Sequence, residues 1–123
     1  MASRIEIFDV TIPPGTPQSA PVTVPLPFDD GNVERIELRW PPGPAGLVGL
    51  RIRHSSQVVI PYSGTAWIVS NDEPIYWPVE GYPATDKWDV IGYNTGAYPH
   101  TIQVRLLITE TVNPVVPVTL VTI

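Results

Sequence analysis

Sixteen of the 123 residues are proline and nine more are glycine, and they are spread along the whole chain. Proline fixes φ and cannot donate a backbone hydrogen bond, so it belongs at strand ends, edges, bulges and turns. The intervals between these residues suit short extended segments, and they read with period two rather than with the helical period. The expectation is an all-β chain: a single β-sandwich or jelly-roll-like domain of about eight to nine short antiparallel strands.

Arg4 to Val10 places Ile5 and Ile7 on one face and Glu6 and Phe8 on the other, and Pro13-Pro14-Gly15-Thr16 then turns the chain. Ala20 to Leu26 alternates too, but Pro21, Pro25 and Pro27 restrict it to a sheet edge. Ile36, Leu38 and Trp40 alternate cleanly with Arg35, Glu37 and Arg39, the pattern of a half-buried strand. Gly46 to Arg53, Gln57 to Ile60, Thr65 to Val69 and Ile75 to Val79 follow as short strands between turn residues. Trp88 to Tyr93 and Thr101 to Ile108 flank Asn94-Thr95-Gly96 and can pair as a hairpin.

Composition removes several function classes. A chain this long builds one two-layer core, here over residues 1–108. No window comes near the ~20 uninterrupted apolar residues of a membrane-spanning helix. Met1 to Val10 carries Arg4, Glu6 and Asp9 where a secretory leader would be apolar, so synthesis and retention in the cytoplasm are expected. The net charge is −5 and the single lysine and six arginines are scattered, which argues against nucleic acid as a partner. With no cysteine there are no disulfides and no thiolate metal sites.

Nor do the residues spell out an active site. His54 and His100 have no neighbours at metal-ligand spacing, and Ser55 and Ser56 lack the strand-turn-helix context of a nucleophile. Asp29/Asp30 and Asp72/Glu73 read as turn residues, and Asp29-Asp30-Gly31-Asn32 lacks the spaced ligands of a calcium loop. No enzyme, metal or cofactor is expected.

Aromatic and apolar surfaces are the remaining candidates. Ile75 to Val79 and Trp88 to Tyr93 are apolar on both faces, although a sandwich buries one, which suggests contact with a subunit or ligand. Trp67, Trp77, Tyr82 and Trp88 form a possible aromatic contact surface, able to stack on sugar rings or to fill the core. Residues 109–123 hold one charged side chain, Glu110, among Val112, Val115, Val116, Val118, Leu120, Val121 and Ile123. Disordered tails are polar, so this segment is expected to dock, either as a last strand of the parent domain or as an arm on a neighbouring subunit through Val115, Val116, Val118, Leu120 and Ile123.

Three stretches carry a family likeness: Ile12 to Thr16 with Val22 to Leu26, Arg35 to Gly49, and Tyr93 to Thr95 with Pro99 to Arg105. Together they span most of residues 5–108, and the chain resembles the capsid decoration (cement) proteins of tailed bacteriophages. The resemblance implies a structural virion protein on the capsid surface that bridges adjacent subunits of the major capsid protein against the pressure of packaged DNA. It also implies a homo-oligomer, often a trimer. The alternative is a phage tail module that binds a carbohydrate or receptor through its aromatic residues.

Overall fold

The computed structural model describes residues 3–28, 31–61, 66–83 and 87–110. They form eight strands: β1 (Ser3–Ile12), β2 (Val22–Leu26), β3 (Asn32–Trp40), β4 (Val48–His54), β5 (Gln57–Ile60), β6 (Glu73–Pro83), β7 (Trp88–Asn94) and β8 (His100–Thr109). Two four-stranded antiparallel sheets pack face to face as a β-sandwich, in the orders β1-β8-β3-β6 (sheet A) and β2-β7-β4-β5 (sheet B). No helix among the described residues is long and apolar enough to cross a membrane.

Period-two patterning explains the core. Ile102, Val104, Leu106 and Ile108 of β8 and Ile36, Leu38 and Trp40 of β3 face Val48, Leu50 and Ile52 of β4 and Val90 of β7, all essentially without solvent contact. Each such side chain contributes about 1.5–3 kcal/mol by leaving water. Val33 is out of phase with Ile36, and the chain corrects this with a bulge between Val33 and Arg35 that lets both point inward. The phase of β1 is set by Phe8, Val10 and Ile12, which face inward and leave Ile5 and Ile7 outside.

Two expectations need correction. Trp88 to Tyr93 and Thr101 to Ile108 do not pair: β7 lies between β2 and β4, while β8 lies between β1 and β3. The 95–99 connection crosses from one sheet to the other. The Thr65 to Val69 segment is no strand in its described part, where Ile68 makes one isolated bridge to Leu50. The proline-rich Ala20 to Leu26 segment does take an edge, as β2.

Ser55 and Ser56 connect β4 to β5 with φ of 51° and 68°, and His54 pairs directly with Gln57. Positive φ at both central residues is the geometry that Asn-Gly adopts without strain. Replacing Ser55-Ser56 by Asn-Gly is therefore expected to stabilise the domain by about 1 kcal/mol, read as a rise in Tm of a few degrees. An unchanged or lower Tm would contradict the turn geometry.

Candidate functional site

A sandwich has two outer faces, and this one treats them differently. On the outside of sheet B, Ile91 and Tyr93 are only 9% and 8% exposed, and the 66–69 segment lies against Tyr93 there. Trp67 meets Tyr93 edge-on at 4.9 Å, and the Arg51 guanidinium lies 3.8 Å from the Trp67 ring centroid while Nε donates to the Ala66 carbonyl at 2.7 Å. The second apolar face of β7, expected to meet a subunit or ligand, is thus covered by the chain itself.

Nothing among the described residues covers the outside of sheet A. Strand register lays out its rows: Ile5, Leu107, Arg35 and Pro78; then Ile7, Arg105, Glu37 and Tyr76; then Asp9, Gln103, Arg39 and Pro74. Ile5, Ile7 and Tyr76 are 57%, 54% and 53% exposed, a large apolar outlay for one face. Between them runs a polar ladder. Arg105 donates from Nε to Gln103 Oε1 at 2.6 Å and lies 3.6 Å from Glu37, and Gln103 reaches Asp9 at 3.4 Å. Arg35 sits over the Tyr76 ring at 5.5 Å.

Two shallow depressions mark the face. One, of about 250 Å³, lies among Ile5, Arg35, Glu37, Tyr76, Arg105 and Leu107. The other, of about 410 Å³, is walled by Pro41, Pro42 and Asp72 over a floor that includes Arg39 and Gln103. Arginine and tyrosine with an apolar rim are the residues that carry protein–protein binding energy, and the fixed Arg105–Gln103 and Arg35–Tyr76 contacts reduce the ordering cost of docking.

The four aromatic residues grouped from the sequence do not share a surface. Trp88 is 2% exposed, with Nε1 donating to the Pro83 carbonyl at 3.1 Å. Tyr82 packs edge-on against it at 5.6 Å, and His54 lies 4.9 Å away, closing one end of the sandwich with Phe28. Trp77 packs against the core from β6 and Trp67 lies on the outside of sheet B. Alternation identified these rings, but it could not say which sheet or end each one joins. Val115, Val116, Val118, Leu120 and Ile123 lie outside the described residues, as do Asp29 and Asp30.

The one clear titration shift belongs to Arg53 on the outside of sheet B, raised by its hydrogen bond to Asp89 against the opposing effect of burial. Nε and Nη2 donate to the two Asp89 oxygens at 2.7 and 2.9 Å. A raised pKa stabilises the fold below the ordinary arginine range and loses that contribution only above it, so this pair adds no pH dependence near neutrality. No group of three His, Asp or Glu side chains is placed to hold a metal ion among the described residues.

No family model matches the chain, and no curated protein sequence matches it significantly. Among solved structures, the crystal structure of FlhE is similar to it, with a TM-score of 0.52 and 14% identity, covering 89% of this chain and all of that one. The likeness is one of fold.

Proposed function

We propose that the chain is a binding module that docks on another protein through the outside of sheet A, and that this protein is the major capsid protein of a tailed phage. In that role it decorates and stabilises the capsid surface by bridging adjacent subunits, as a homo-oligomer in the virion. The observation that carries the docking reading is the uncovered face on which Ile5, Ile7, Leu107 and Tyr76 surround the Arg105–Glu37 and Arg35 contacts. The family resemblance of residues 5–108 supplies the choice of partner. A stacking platform for sugars has less support, since its four rings are divided among one end of the sandwich, the core and the outside of sheet B.

A lattice partner needs little affinity per contact, because many copies on one surface gain from avidity. The test is co-sedimentation with mature capsids of the phage that encodes the chain. Wild type is expected to saturate a fixed number of sites. The Ile7→Asp/Tyr76→Ala double variant is expected to bind about 50-fold more weakly, since an apolar anchor and an aromatic one are lost from the two ends of the middle row of the face. Its melting temperature stays within a few degrees, because both side chains are solvated in the free module. Failure of wild type to bind capsids overturns the capsid reading, and full binding by the double variant overturns the face.

A further inference from the structure

We infer that the apolar C-terminal segment of one copy adds as a strand to the free edge of β1 in a second copy. The inference concerns contacts between copies and stands apart from the capsid reading.

A two-sheet sandwich has four edge strands, and three of them are blunted. Edge strand β6 contains Pro74, Pro78 and Pro83; β2 contains Pro25 between Pro21 and Pro27; β5 is four residues long and stops at Pro61. Proline, shortness and charge are how proteins keep sheet edges from pairing. Strand β1 has none of the first two. It runs ten residues from Ser3 to Ile12 without a proline, pairs among the described residues with β8 on one side alone, and presents Ile5 and Ile7 to solvent beside its other edge.

The other half of the argument is where the chain leaves the sheet. Thr109, the end of β8, pairs with Ser3 of β1 and Asn32 of β3, and Glu110 lies 3.7 Å from Arg4, so the chain leaves the sheet beside the start of β1. Thirteen residues follow, and after Pro117 they end in Val118-Thr119-Leu120-Val121-Thr122-Ile123, an uncharged run of strand-forming residues without proline. Main-chain pairing would give this run affinity, and Ile5 and Ile7 would give it side-chain partners.

Docking on its own β1 is the poorer solution. The segment would have to reverse around the end of β1 and run parallel to it, the weaker pairing. Crossing to the far edge, about 10 Å away at ~4.8 Å per strand, uses about three residues. Pro114 and Pro117 would then lie along the first half of β1, beside Ile5 and Ile7, and the proline-free run would meet only its last residues. From a second copy the run can approach antiparallel and in register with Arg4 to Asp9.

Sedimentation of the chain alone tests this, with two full-length variants. One carries Val118→Asp/Leu120→Asp in the segment, and the other Ile5→Asp/Ile7→Asp on the β1 edge, where both side chains are exposed. Wild type is expected to sediment above the monomer mass, and each variant to associate at least about tenfold more weakly. Mixing the two variants is expected to restore association, because one retains an intact edge and the other an intact segment. A monomeric wild type overturns the inference, whether or not β1 amides resist exchange. So does association that survives in the segment variant, which would indicate edge-to-edge pairing of β1 strands, or a mixture that stays monomeric.

Discussion

Asn94→Asp is expected to cost more stability than Asn94→Ala, although it changes one atom. Asn94 is fully buried at the end of β7. Its Nδ2 donates to the carbonyls of Ile12 at 3.0 Å and Tyr98 at 2.8 Å, and Oδ1 accepts from Gly96 N–H at 2.9 Å. Its backbone N–H and C=O pair with Thr16 at 2.9 and 2.8 Å. One side chain thus joins the end of β1 in sheet A to β7 in sheet B and shapes the crossing that separates β7 from β8.

Alanine would leave two carbonyls and one N–H without their partner, a loss of about 3 kcal/mol. Aspartate keeps the acceptor for Gly96 but sets a carboxylate oxygen against two carbonyl oxygens in a fully buried site, which adds the cost of an unpaired buried charge. The deficit should exceed 4 kcal/mol at neutral pH, a fall in Tm of more than about 12 °C. Protonation removes the charge and supplies a donor, so the folded state holds the proton more tightly than the unfolded chain. Stability of the variant relative to wild type therefore falls as pH rises from about 4, the unfolded value, through the raised folded value, and is flat above it. Thermal melts of wild type and both variants across pH decide the matter. A difference between Asn94→Asp and wild type that does not change with pH would refute the network.

Much of this domain was legible from alternation and proline placement. Ile36, Leu38 and Trp40 face inward as their spacing demands, and the prolines of Ala20 to Leu26 put β2 at an edge. What alternation could not give was the phase of strands that are apolar on both faces. In β1 the Phe8-Val10-Ile12 set takes the core and Ile5-Ile7 is left outside, so the candidate docking face rests on a choice made by packing. In β7 the second apolar face is covered by Trp67 from the same chain, and a one-dimensional pattern does not distinguish that cover from a partner. The hairpin reading failed for a related reason: a short turn suits both a return within one sheet and a crossing to the other. Asn94 carried the only local hint, as a polar residue that tolerates unusual backbone, and its partners come from Ile12, far away in sequence.

Gly31→Ala should be the more damaging of two alanine substitutions at glycines with positive φ, and Gly46→Ala is its control. Gly31 has φ of 101° and Gly46 of 86°, so both backbones lie where a side chain is strained, at about 1–2 kcal/mol. The surroundings differ. A Cβ on Gly46 meets nothing within 4 Å, whereas on Gly31 it would stand 2.6 Å from the Thr109 carbonyl oxygen and 2.7 Å from Ile108 Cγ2. The first is backbone at the end of β8 and the second is a fully buried core side chain, so neither yields without disturbing the β3–β8 pairing. Overpacking of this kind adds about 1–3 kcal/mol, for a total near 4, against about 1 kcal/mol at Gly46. Denaturant melts should give a midpoint for Gly31→Ala well below that of Gly46→Ala at similar slopes. Because Thr109 also pairs with Ser3, the strain reaches the start of β1, and faster amide exchange there than in β4 would be its signature. Equal midpoints for the two variants would mean that β8 ends with room beside it, and that the closeness of Gly31 to Thr109 does not fix the place where the C-terminal segment departs.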